Sequence, residues 1–102
     1  MRTRLELQSK LEEILGSRNV YFQPPEGYKL SYPCILYEKS SVRSIYADDL
    51  TYLMHPTFTI TVIDRNPDSD IPDRLLALRG ARFDRHFTND NLHHNVITLT
   101  LF

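Results

Sequence analysis

The chain has little of what most enzymes and secreted scaffolds rely on. Cys34 is its only cysteine. That excludes an internal disulfide and any cysteine-built zinc site. Cys34 lies in an apolar run, where a lone thiol acts as a small hydrophobe rather than a nucleophile. There is no tryptophan, and the only glycines are Gly16, Gly27 and Gly80. They are too dispersed to form a glycine-rich phosphate loop. Charge of one sign is also lacking. The net charge is −1, which argues against capture of nucleic acid by bulk charge. No apolar run is long enough to span a bilayer, and the N-terminal Met-Arg-Thr-Arg-Leu-Glu-Leu has no apolar signal-peptide core. The default expectation is a soluble cytosolic chain. With 41% hydrophobic and 25% charged residues in a chain of 102, a single folded domain with one modest core is expected.

Thr3 to Leu15 reads as an amphipathic helix. Leu7, Leu11, Ile14 and Leu15 form its stripe, with Leu5 near the edge. Thr3 and Glu6 have capping-box spacing, and Gly16 supplies the stop. Val20-Tyr-Phe22 is a short strand candidate ended by Pro24-Pro25. Cys34 to Glu38 suits a central strand. Thr57 to Ile63 alternates, with Phe58, Ile60 and Val62 on one face and the threonines on the other. A second helix is predicted near Ile71 to Leu78, capped by Ser69 or Asp70 and stopped by Gly80. Strands are predicted at Arg82–Thr88 and His94–Phe102, joined by a Thr88-Asn-Asp-Asn91 turn. The pattern predicts an α+β domain spanning residues 1–102. Its sheet would be mixed or mostly antiparallel, with about four to five strands and both helices on one face.

Between the two long strands lie residues Lys39 to Pro56, polar and without helical period. They predict an extended arm or loop, a long β-hairpin-like reach that serves partner contact better than a domain's own stability. The arm carries Tyr46, Asp48, Asp49, Tyr52 and Met54, the candidate subunit-contact residues. Arg74, Arg79, Arg82 and Arg85 form the one basic concentration. The expectation is that the arm of one subunit, through Asp48 and Asp49, meets the arginine face (Arg79, Arg82, Arg85) of the next in a head-to-tail contact.

Catalytic and metal motifs fail on spacing. Asp64, Asn66, Asp68 and Asp70 start like a calcium loop, but Ser69 stands where glycine is needed and Leu75 where a bidentate glutamate is needed. A turn followed by a helix cap explains them better. Pro67-Asp68 lacks the downstream lysine of a metal nuclease. His55, His86, His93 and His94 have no metal-ligand spacing, and adjacent His93 and His94 point to opposite faces of a strand. No serine sits in a nucleophile elbow. The expectation is no enzyme and no cofactor.

Taken together, several phrases resemble a known family. They are the helix ending at Gly16, Val20-Tyr-Phe22, Tyr32-Pro-Cys-Ile-Leu-Tyr37, the long arm, Phe58-Thr-Ile-Thr-Val-Ile63, Ile71-Pro-Asp-Arg-Leu-Leu76, Phe83-Asp-Arg85 and Asn95-Val-Ile-Thr-Leu-Thr-Leu-Phe102. In this order the chain resembles the small tail-terminator or tail-completion (head–tail joining) proteins of long-tailed bacteriophages and prophages. The resemblance implies a structural subunit of a homo-oligomeric ring, usually hexameric. Such a ring caps the tail tube and joins it to neck or connector proteins. It implies a place in the virion after assembly in the host bacterial cytoplasm, with no membrane partner and nucleic acid met only in the ring lumen. No catalytic residue carries over. Neck and head-completion proteins share the outline. The alternative is a small cytosolic binding module that uses its arginine face on nucleic acid or an acidic protein.

Overall fold

The structure, a computed structural model, describes residues 3–47 and 50–101, with side chains outside 41–54. Helix α1 (Arg4–Leu15) begins at Thr3, whose hydroxyl oxygen accepts from the Glu6 amide at 3.2 Å. The other half of the capping box differs from its usual form: the Glu6 carboxylate takes the Thr3 hydroxyl itself, at 3.2 Å. Gly16 closes the helix at φ 80°, and its amide donates to the Glu12 carbonyl at 2.8 Å. A left-handed cap of this kind suits glycine. Leu7, Leu11 and Ile14 are buried, whereas Leu5 is 67% exposed and lies off the stripe.

Five strands form one sheet in the order β1-β2-β3-β5-β4. They are β1 (Val20–Phe22), β2 (Cys34–Ala47), β3 (Leu50–Asp64), β4 (Ala81–Asn89) and β5 (Leu92–Thr100). Helix α2 (Ile71–Leu76) sits between β3 and β4. β1 runs parallel to β2, and every other pairing is antiparallel. The α+β class and mixed, mostly antiparallel sheet agree with the sequence pattern.

Both helices cover one face. Leu7, Leu11 and Ile14 of α1 and Ile71 and Leu75 of α2 share a core with Ile35, Tyr37, Phe58, Ile60, Val62, Ile97 and Leu99. Tyr37 is the one polar-tipped member. Its hydroxyl donates to the Gln8 Oε1 and accepts from Arg4 Nη1 at 3.1 Å. Burial pushes the phenol's pKa up, and the Arg4 hydrogen bond and charge pull it partway back. Arg4 also lies over the Phe22 ring, 4.5 Å from its centroid. Arg74 ties the helices together: it pairs with Asp70 at 2.8 Å and donates to the Ile14 carbonyl at 3.4 Å. Asp70 therefore serves this ion pair and caps nothing, and Ser69 Oγ accepts the Ile71 amide instead.

The opposite face carries Thr57, Thr59, Thr61, Thr98 and Thr100, as the alternation predicts. The same alternation puts Ile63 and Val96 there, and with Cys34 they are buried, so this face is not open to water throughout. Tyr21 and Leu36 are register partners on this face, and Tyr28 from the following loop packs on Tyr21 with ring centroids 5.3 Å apart. Strand alternation shows which way a side chain points, but not that a loop returns over it.

Replacing Leu11 by alanine removes a fully buried side chain from the α1–sheet contact. It should lower unfolding free energy by about 2–5 kcal/mol. Tyr37→Phe keeps the ring but leaves Gln8 and Arg4 without their hydroxyl partner, and should cost about 1 kcal/mol. Urea denaturation of both variants checks the order of the two effects.

Candidate functional site: a projecting ribbon and an open sheet edge

The polar stretch after Glu38 is the continuation of two strands. β2 and β3 stay paired from Cys34↔Ile63 to Ala47↔Leu50. Their neighbours stop early: β1 pairs with β2 only as far as Tyr37, and β5 pairs with β3 only from Thr57 onward. Residues 41–47 and 50–56 therefore form a two-stranded ribbon beyond the sheet, about 20 Å long at ~3.3 Å per residue. The molecule is correspondingly elongated, 51 × 26 × 23 Å. No core face imposes apolar alternation on such a ribbon, so the sequence gives no strand signal there.

The ribbon's root is well tied. A register shift between Lys39 and Ser41 leaves Ser40 as a bulge, and its hydroxyl donates to the Thr57 carbonyl at 3.1 Å. The Leu101 amide donates to the Pro56 carbonyl at 2.9 Å, and His55 Nδ1 meets the Leu101 carbonyl at 3.1 Å. Thr57 and Thr100 share a hydroxyl hydrogen bond of 2.8 Å. A second register shift falls between Ile45 and Tyr46. Bulges of this kind bend a ribbon and increase its twist. Of the expected contact residues, Asp48 and Asp49 lie outside the described residues, as do the side chains of Tyr46, Tyr52 and Met54.

The second feature is β4, the edge strand farthest from β1. All but its first residue are exposed, with Phe83 at 52% and Phe87 at 41%. A register shift between Phe83 and Arg85 places Asp84 in a bulge. This has a consequence that spacing alone could not show. Arg82 pairs with Thr98 and Arg85 with Val96, so both arginines lie on the helix-free face, although three residues apart in a regular strand means opposite faces. Arg79 is exposed in the α2–β4 connection. Arg74 does not join them, being held by Asp70 and Ile14.

Aromatic side chains support the β4–β5 hairpin. Phe87 stacks on His94 at 4.5 Å and 13°, and His86 on His93 at 5.7 Å and 19°. Arg85 lies 5.8 Å from the centroid of the Phe87 ring. The Asp90-Asn91 turn has φ of 52° and 62°, the two positive values of a tight hairpin turn. Sequence reasoning overlooked this aromatic–imidazole cluster. The available signal was Phe87 opposite His94 and His86 diagonal to His93 across the turn.

The remaining candidates have structural partners. Asp64 Oδ1 accepts the Asn66 amide at 3.0 Å, and Asn66 Oδ1 accepts the Asp68 amide at 2.9 Å. With Asp70 on Arg74, these side chains form successive turns and an ion pair. Among the described residues no group of three metal-ligating side chains converges. No helix among them is long and apolar enough to cross a membrane. One shallow cleft of about 280 Å³ opens on the helix-free face between Gln23, Pro24, Leu36, Glu38, Thr59 and Thr61. No family model, curated protein or solved structure matches the chain.

Burial pushes the Cys34 thiol up to about 11. The thiol stays protonated below that pH in the folded state, whereas the unfolded chain ionises it near 9.0. The raised value favours the folded state below pH 9, and this contribution falls away as pH rises through 11. Iodoacetamide at pH 8 should leave the native protein unmodified and label it fully in 8 M urea, read by intact mass; rapid native labelling would show an open thiol.

Proposed function

We propose that this chain is a structural assembly subunit that builds a homo-oligomeric ring, as a tail-terminator or head–tail joining protein of a long-tailed phage or prophage does. The observation that carries the reading is the two-stranded ribbon of residues 41–47 and 50–56. A lone ribbon is marginally stable in water, because half its backbone groups and both faces lack partners. A small domain that maintains one gains from it when the ribbon rests on another molecule. The open β4 edge supports the same reading. Exposed edges are a hazard in a monomer and a joint in an assembly. The contact would be head-to-tail, ribbon of one subunit against the arginine-bearing side of the next. Repetition of such a contact closes a ring when the rotation allows it.

The work of such a protein is geometric. A closed ring would stop growth of the tail tube on one face and offer neck proteins the other. No residue takes a chemical role in this reading.

A second reading rests on the Asp84 bulge. By bringing Arg82 and Arg85 to one face, it makes a small cationic surface suited to nucleic acid or an acidic protein. Triple replacement of Arg79, Arg82 and Arg85 by glutamate would abolish such binding. Two or three phosphate contacts give a slope of about −2 to −3 in log affinity against log salt. A DNA titration across salt concentrations measures it.

The two readings separate on solution mass. Light scattering across concentration, paired with negative-stain images, should show closed multiples of the 12.0 kDa chain, near six, with annular particles. Asp48→Lys with Asp49→Lys should shift that equilibrium to monomer while leaving the far-ultraviolet circular dichroism unchanged. Unaltered oligomer mass in the double variant would remove the ribbon–arginine contact. A monomer that binds DNA with the slope above would favour the second reading.

A further inference from the structure

We infer that the β4 edge is the acceptor of strand addition, and that its donor is the ribbon strand 41–47 of a second copy of this chain. The inference rests on the assembly reading and specifies its joint.

The sheet can grow on one side only. Its β1 edge is three residues long and runs into Pro24-Pro25, neither of which can donate a hydrogen bond. The β4 edge is nine residues long, and no strand lies on its outer side among the described residues. The available backbone groups follow from the ladder. The Thr100 amide donates to the Gly80 carbonyl at 3.2 Å, and Asn89 and Leu92 flank the two-residue turn. Alternation from both ends, across the Asp84 bulge, turns the amides of Arg82, Arg85, Phe87 and Asn89 toward β5. Those of Phe83, His86 and Thr88 face outward.

Charge selects the occupant. If β4 met its own copy, Arg82 and Arg85 on its helix-free face would meet the same two arginines. Like charges directly opposite across strands are unfavourable. In sequence, the complementary sign follows directly on the donor strand as Asp48-Asp49, while the strand itself carries a single charge, Arg43. Of the ribbon's two outer edges, 50–56 includes Pro56, whereas 41–47 is free of proline and keeps every donor. The edge 41–47 is also free of any β1 partner. Phe83 and Phe87 lie on opposite faces of β4, by their pairing with Ile97 and His94. An incoming strand would be flanked by one exposed aromatic ring above and one below. Backbone bonds would supply the joint and the rings its grip, as in other cases of strand addition.

The test is amide hydrogen exchange of the intact protein at concentrations below and above assembly, with mass followed in parallel. The amides of Phe83, His86 and Thr88 should slow by roughly tenfold or more on assembly. His86→Pro and Thr88→Pro remove outward donors without breaking a backbone bond to β5, and each should raise the assembly midpoint concentration at least tenfold. A variant with residues 42–56 replaced by Asn-Gly should be monomeric, with the amides of Phe83, His86 and Thr88 exchanging freely. Assembly with these three amides still exchanging as in the monomer would overturn the β4 joint and leave the assembly reading intact. A ribbon-less variant that assembles with β4 protected would overturn the ribbon as donor, in favour of β4 against β4. A native chain that is monomeric throughout would overturn the inference together with the reading it rests on.

Discussion

Strand β3 is the constraint on which the rest depends. Its C-terminal half lies between β2 and β5, with Phe58, Ile60 and Val62 pressed against the helices. Its N-terminal half leaves the sheet and forms one side of the ribbon. One continuous strand thus belongs to the core at one end and to the projecting arm at the other. Stiffness is transmitted because pairing with β2 continues from Ile63 to Leu50, interrupted only at the two register shifts. The bonds around Ser40, His55, Pro56 and Leu101 fix the point where the arm departs. Any partner held by the arm is therefore held by the core, without a flexible linker between them.

Much of this was legible in the residues. Thr3, Gly16 and the leucine stripe specify α1 because capping and helical period are local and independent of tertiary context. Alternation at Phe58–Val62 and Ile97–Leu101 specifies β3 and β5, since each has one face on a core. The helix-free face was only half legible. Its threonines and the burial of Cys34 were plain, but alternation gives the direction of Ile63 and Val96 and not their burial. The extension of β2 and β3 was readable as a long hairpin-like arm, but not residue by residue as strand, because alternation is absent there. The arginine face was expected, but not how its members come together. Arg74 left it for Asp70, and Arg82 joined Arg85 only through a bulge that spacing does not announce.

Nor did the acidic turn become a site. Its alternating Asp-x-Asn-x-Asp spacing is the spacing of side chains that accept from the amide two residues on. The same chemistry that suggests a cation ligand set also satisfies the local backbone. Missing side groups at the sixth and twelfth loop positions were the better guide.

The Asp90-Asn91 turn bears on how the chain folds. Two residues at positive φ close the β4–β5 hairpin over the shortest available loop, so its pairing needs little loop-closure entropy. β5 must then find β3 across the whole of α2 and β4, a far slower search. The β4–β5 hairpin can therefore form while β5 still lacks its inner partner. For that interval both its edges are bare, and β4 displays Phe83 and Phe87 on a strand already in its final shape. The bulge at Asp84 and the charges beside it then act as kinetic protection. They interrupt and charge the edge that forms early, during the time when β-rich chains are most prone to pair with the wrong molecule.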